Sequence, residues 1–382
     1  METAKIDVCI FTFNDESISL FKGGEHLPRF GGAGLHMYLL AQELQKNPRY
    51  TVHFLFLENA AQGLDGEGLD LISIHTMRHL IKHGLPYIAR PINKAQSKAP
   101  YKKLGTKRVF ISTMALGAPI LKREAGFAGA KTIFQTASET DVTAPRGRGP
   151  AVQKELLDTI AGFDVVAVQT ELQRENLLKT RNRDSVVIRK GMPAPPQIPP
   201  YEKKDGVLWV ASGQPLKQPW IFLDLARAIP EECFTMIMPP AEQQLYEYVQ
   251  RQAQDLPNLT LIDKQVPYKE TQRYFDEAKL FIYTSEFGSD PAITVLQAGL
   301  GGCAIVSHAL DPDEQMFSRC NTGIVGDNSM STLITNVQEL LSSPSRQQTL
   351  GKNAFDYVKR TYSLAAMANA YTELIDSLFP TT

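Results

Sequence analysis

The sequence predicts an α/β protein of two doubly wound, parallel-sheet domains in tandem, and three observations carry that reading. Compact apolar runs rich in β-branched and aromatic residues recur with helix-period patterns between them, the alternation of a sheet covered on both faces. The alternation stops at "KGMPAPPQIPPYEKKDG" (190–206), where five prolines between Pro193 and Pro200 can neither continue a helix nor enter a sheet interior. It then restarts, and 382 residues suit two cores better than one.

In order, strands are expected at 5–13, 51–57 ("TVHFLFL"), 108–112, 131–136, 164–169 and 185–189, which with their intervening helices make a first domain over 1–195. A second domain over 196–362 takes strands near 207–211 ("VLWVA"), 234–238, 258–262, 279–284, 303–308 and 322–325. The last stretch, "SLAAMANAYTELIDSLF", is amphipathic and is expected as a helix within 363–382 that returns to the first domain.

Composition is that of an ordinary globular protein, 43% apolar and 21% charged, with a net charge of −1. No apolar run reaches the length of a membrane span and no charged-then-apolar leader precedes the first strand, so a cytoplasmic protein is expected, peripheral at most to the inner membrane face. Cys9, Cys233, Cys303 and Cys320 share no C-x-x-C spacing and read as buried free thiols. The near-zero charge conceals a division. Residues 1–195 hold 26 Lys and Arg against 19 Asp and Glu, a net +7, whereas the remainder holds 14 against 22, a net −8. Residues 78–108 contain nine of the cations and no acid, which reads either as a solvated loop or as a landing site for an anionic acceptor or membrane surface. Tyr87 and Tyr101 are its only stacking aromatics, so nucleic acid is not an expected partner.

Two loop-to-helix junctions carry chemistry. "SEFGSDPAITVLQAGLGGC" (285–303) stands between apolar runs and reads as the middle of a βαβ crossover. Such a unit sets a helix start, with its unpaired amides and positive dipole end, beside the carboxyl ends of strands, where an anion and above all a phosphate is favoured. "RFGGAGLHMYLLAQELQ" (29–45) puts Gly31, Gly32 and Gly34 at the opening of a helix with Leu35, Leu39, Leu40 and Leu44 at helical spacing. Those glycines allow close backbone approach to a ligand, or simply a turn needing positive φ. The spacing is not G-x-G-x-x-G, and Glu58 is the only acid placed to serve a dinucleotide.

Taken together, "FGGAGLHMYLLAQEL", "VVIRKGMP", "VLWVASGQPLKQ", "YFDEAKLFIYTSEFGSDPAITVLQAGLGGCAIVS" and "LGKNAFDYVKRTYS" resemble, in order and across nearly the whole chain, the family 4 retaining glycosyltransferases of GT-B fold. The resemblance implies two Rossmann-like domains facing a central cleft, an acceptor-binding first domain, and a second domain that binds a nucleotide-diphosphate sugar such as a UDP- or GDP-sugar as co-substrate. It places the donor diphosphate at the amides of Ala292, Ile293 and Thr294. Lys217 stands for the cation that neutralises the departing diphosphate, with Gln214, after Gly213, where the family usually has a second cation. Gln297 takes the place of the acid that binds ribose hydroxyls. An amide still accepts such a bond, without the charge that strengthens it. The family's first acid falls on Ser289, flanked by Asp290, or on Glu286 if the loop is longer by three; Glu286 is preferred because "EFG" echoes the family's loop. Val266 matches the position that holds the nucleobase through backbone atoms. Ser138, Glu139 and Asp141 occupy the acceptor-side stretch where the family often has a His, which is missing here; they read equally as caps of the following segment.

Retention implies an oxocarbenium-like state, with negative charge growing on the diphosphate and no protein nucleophile. Lys217, the amides of 292–294 and those of Gly32 and Gly34 are the expected stabilisers. "DPD" (311–313) reads as a turn, and no metal or other cofactor is expected. The substitutions at Gln297 and Gln214 and the missing His also fit a second reading, a GT-B subunit that binds a glycan or partner without transfer.

Overall fold

The computed structural model describes residues 5–13, 17–22, 30–57, 60–74, 101–144 and 149–380. It divides into two compact units, one formed by residues 1–191 and 364–382, the other by 192–363.

The first unit is a seven-stranded parallel sheet of order β3-β2-β1-β4-β5-β6-β7. Its strands are β1 (Ile6–Phe11), β2 (Tyr50–Leu57), β3 (Asp70–Ile74), β4 (Lys107–Thr113), β5 (Lys131–Gln135), β6 (Val165–Val168) and β7 (Val186–Val187). All six residues of β1, "IDVCIF", are buried, because a central parallel strand has covered faces on both sides and needs no polar alternation. β3 is the strand the apolar pattern does not announce. "DLISI" is short and half polar, and it pairs with β2 at the sheet edge, where only Ile72 and Ile74 are buried. Helices α1 (Gly32–Leu44), α2 (Ala118–Ala128), α3 (Pro150–Ala161) and α4 (Glu171–Arg181) belong to this unit.

The second unit is a six-stranded parallel sheet of order β10-β9-β8-β11-β12-β13. Its strands are β8 (Asp205–Val210), β9 (Phe234–Ile237), β10 (Leu259–Ile262), β11 (Ala278–Tyr283), β12 (Ala304–Ser307) and β13 (Gly323–Val325). Between and after them run α5 (Pro219–Ala228), α6 (Gln243–Gln254), α7 (Tyr268–Glu277), α8 (Ile293–Leu300), α9 (Pro312–Arg319), α10 (Met330–Leu341) and α11 (Pro344–Thr361). One cluster around Trp209, Phe222, Phe234 and Leu280 packs one face of the sheet, and another around Phe275, Phe281, Val295 and Phe317 packs the other. Lys204, just ahead of β8, is buried and donates through Nζ to the carbonyls of Phe275, Asp276 (2.9 Å), Ala278 and Gly301. Those carbonyls lie at the ends of α7 and α8, so one buried ammonium closes both helices. Burial holds its pKa below the usual lysine value.

The final helix α12 (Leu364–Ser377) belongs to the first unit. Met367, Tyr371 and Ile375 form its buried stripe, and the Tyr371 hydroxyl donates to Gln135 at the end of β5.

Two cysteine expectations are corrected: Cys9 and Cys303 are buried free thiols, but Cys233 and Cys320 are exposed. Cys233 lies in the turn before β9 and Cys320 follows the last residue of α9, so proximity to a strand or helix did not bring burial. Burial pushes the Cys303 thiol up to about 12.

Candidate functional site

In both parallel sheets the order of strand addition reverses at the middle. In the second unit the chain runs from β8 outward to β10, then returns to β11 and proceeds to β13, so the switch lies between β8 and β11. At a switch of this kind, the carboxyl ends of the two neighbouring strands are where open α/β sheets hold ligands. The connections that follow β8 and β11 are 211–218 and 284–292, the segments that hold Lys217 and the start of α8.

Side chains lock the two together. The Trp209 indole donates to Thr284 Oγ1 at 2.8 Å, and that hydroxyl donates to the Lys217 carbonyl. The Glu286 amide donates to the Leu216 carbonyl at 3.1 Å, and Lys217 Nζ reaches Ser285 Oγ at 3.1 Å. The ammonium of Lys217 is thus held over the loop that leads into α8. The helix itself begins with Ala292 as N-cap and no side-chain cap. Its first backbone acceptor bonds come from Val295 and Leu296 to Ala292, so among the described residues the half-buried Ala292, Ile293 and Thr294 make no backbone amide bond. An uncapped helix start beside a fixed ammonium favours an anion, with hydrogen bonds from the first and charge from the second.

The remaining donor-side positions divide. Glu286 is exposed, whereas Asp290 is buried near the Tyr283 phenol, which burial and then the Asp290 charge push up to about 12. The Ser289 carbonyl accepts from the Asp313 amide at 2.8 Å. Gln297 is buried one turn into α8, and its carbonyl accepts from Gln272 Nε2. Gly213 and Gln214 follow β8, but the Gly213 amide is bonded to the Pro239 carbonyl and the Gln214 amide to Ser212. Val266 is buried in the core, and its carbonyl accepts from Gln265 Nε2.

In the first unit the switch lies between β1 and β4. The glycine turn follows β1, with Gly31 as N-cap and Gly32 and Gly34 inside the first turn of α1. Gly31 has φ −101°, and the other two are helical, so the glycines do not answer a need for positive φ. Gly31 caps the helix without a side-chain cap, and the alternative role expected of these glycines, close backbone approach to a ligand, is compatible with that start. Glu58 lies outside the described residues.

Ser138, Glu139 and Asp141 follow β5. Asp141 is buried, with Oδ1 accepting from the Ala115 amide at 2.9 Å and Oδ2 from the amides of Ala137 and Ser138. Glu139 accepts from Asn176 Nδ2, and Ser138 Oγ lies 2.7 Å from Thr140 Oγ1. These carboxylates tie the loop after β5 to its surroundings, the capping role that the sequence left open. What the sequence did not indicate is the loop after β4 that Asp141 braces. Met114 there has φ 65°, a left-handed conformation rare in a residue with a long side chain, and no spacing pattern marks it.

Most of the basic stretch lies outside the described residues. Its described end is at the amino ends of the strands, the edge opposite the glycine turn. There Lys103 pairs with Asp70, and the Arg108 guanidinium donates to the carbonyls of Gly105, Ala128 and Leu104. Arg108 therefore ties segments of chain together and is not the open cation expected of a landing site.

No family model matches the chain, and no curated protein matches it in sequence. Solved structures do match in fold. A sucrose-phosphate synthase from Thermosynechococcus elongatus superposes with a TM-score of 0.76 at 14% identity, over 98% of this chain and 99% of that one. Anabaena HepE in complex with UDP and glucose gives 0.72 at 11% identity, over 98% and 100%. Staphylococcus aureus TarM in complex with fondaparinux, α-GlcNAc-glycerol and UDP gives 0.69 at 10%, over 97% and 100%. The fold is GT-B, two Rossmann-like units in one chain. Among the described residues no helix is long and apolar enough to cross a membrane.

Proposed function

We propose that the protein is a retaining glycosyltransferase of the family 4 type, moving a sugar from a nucleotide-diphosphate sugar to an acceptor. The observation that carries this reading is the uncapped start of α8 with Lys217 fixed beside it at the β8/β11 switch. The similarity in fold to chains crystallised with UDP supports it.

In this reading the diphosphate rests on the amides of Ala292, Ile293 and Thr294. As the bond from sugar to phosphate loosens, charge grows on the phosphate oxygens, and donors already in place stabilise it without reorganising. Lys217 supplies the positive charge, so these residues meet the departing diphosphate without a metal ion. Glu286, exposed where Asp290 is buried, is the carboxylate assigned to the sugar hydroxyls, and Gln297 to the ribose. The acceptor is assigned to the first unit, whose net charge, +7 over residues 1–191 and −2 over 364–382, is +5 and suits an anionic or membrane-associated molecule. Glutamine at 297 and 214 favours the alternative of a GT-B subunit that binds without transfer.

Calorimetric titration with UDP, GDP and their glucose and mannose conjugates tests the reading: at least one should bind. Folded protein that binds none of them removes it. Slow release of free UDP or GDP from the bound donor, lost in Lys217→Ala, would exclude the non-catalytic alternative, and the anomeric configuration of a product by NMR decides retention.

A further inference from the structure

The segment "LDPDEQMF" (310–317), outside the donor loop in sequence, carries an unusual backbone. Asp313, Glu314 and Gln315 have φ of 46°, 57° and 68°, three consecutive residues in the left-handed region inside α9. None is glycine, and a run of this kind persists only where surrounding contacts over-determine it. Those contacts are visible. Asp311 closes the following turn, accepting from the amides of Phe317 (2.7 Å) and Ser318. Asp313 is 4% exposed, and its Oδ2 accepts from the Tyr357 hydroxyl at 3.0 Å and from the Tyr362 hydroxyl. With its side chain anchored on α11 and the residue after it, Asp313 directs its own amide to the Ser289 carbonyl at 2.8 Å. Ser289 is three residues ahead of the uncapped start of α8. The strained turn is therefore a brace between α11 and the loop that sets where the α8 amides lie.

We propose that Asp313 is a positioning residue for anion binding at α8: its two tyrosine bonds hold the left-handed turn, and the turn holds Ser289 and the three amides that follow. This rests on the donor-site reading above. Substituting the Asp313 side chain removes this anchor and leaves the backbone amide that bonds Ser289 in place. Ala loses both hydroxyl bonds and tolerates the left-handed backbone poorly. Asn keeps an acceptor oxygen of the same reach and tolerates that backbone well.

The test combines UDP titration with amide hydrogen exchange of the ligand-free protein. Asp313→Ala is expected to bind UDP at least tenfold more weakly than wild type and to exchange severalfold faster over 285–296, with β11 unchanged. Asp313→Asn should stay within about threefold of wild type in both, and Tyr362→Phe, which removes one hydroxyl, should fall between. Asp313→Ala with wild-type exchange over 285–296, or with faster exchange but undiminished UDP affinity, overturns the proposal. Should Asp313→Ala fail to fold, Tyr362→Phe with wild-type exchange and affinity overturns it. Wild-type protein that binds no nucleotide defeats the donor-site reading and the role given to Asp313 in it, while the exchange data still decide whether the brace exists.

Discussion

Lys217 is placed by its main chain as well as by its charge, since Trp209 and Thr284 fix its carbonyl before Nζ reaches Ser285. Lys217→Ala should weaken UDP binding by roughly 10- to 100-fold, the loss of a hydrogen bond to a charged group worth about 1.5–3 kcal/mol, with an unchanged melting temperature. The lysine was singled out in the sequence by the family resemblance alone. The indole and hydroxyl that aim it were not legible, because a Trp inside an apolar run reads only as core. His36 shows the same limit. It sits buried in α1, with Nε2 unpartnered among the described residues, and burial with the Lys190 charge lowers its pKa from 6.5 to about 3. The unfolded chain then binds a proton that the folded one does not, so this contribution to stability is complete above pH 6.5 and is lost as pH falls towards 3, on the order of 5 kcal/mol in all. Urea unfolding at pH 7 and pH 4 should show a steeper loss for wild type than for His36→Leu. Equal losses would show that His36 is not buried neutral.

At the scale of elements, α8 is stabilised at one end and left open at the other. Lys204 closes its carboxyl end, whereas Ala292 gives its amino end no cap. Ala292→Asp should therefore separate stability from binding: a carboxylate at the N-cap should raise stability by about 0.5–2 kcal/mol and occupy the amides meant for the ligand. A higher melting temperature with UDP affinity reduced at least tenfold is expected. Unchanged affinity would place the anion elsewhere. Lys204→Met should destabilise the protein by on the order of 3 kcal/mol in urea titration, because buried helix-end carbonyls lose their donor. The run of apolar residues made both flanking strands of α8 readable. It said nothing of Lys204, since a lysine in a polar linker has no signature of burial.

At the scale of the whole molecule, the chain enters the second unit at Met192 and leaves it at Ser363, and these two residues are bridged, with the Met192 amide on the Tyr362 carbonyl. The last helix, α12, completes the first unit, far in sequence from the strands it covers. Truncation after Ser363 should expose the partners of Met367, Tyr371 and Ile375, each worth about 1.5–3 kcal/mol when buried, and lower the melting temperature markedly. A full-length melting temperature in the truncated chain would mean that α12 is not part of that core.

The amino-acid order alone determined the α/β class, the two runs of strands, the proline-rich break and the helix start at 292, because burial on both faces of a parallel strand and the needs of a helix terminus are local and leave local patterns. Only the tertiary structure decided which loops share a switch point, that Asp141 and Arg108 serve the chain itself, and that Asp313 braces Ser289. Those outcomes depend on strand order and on side chains meeting from distant segments, and neither is constrained by neighbours in sequence.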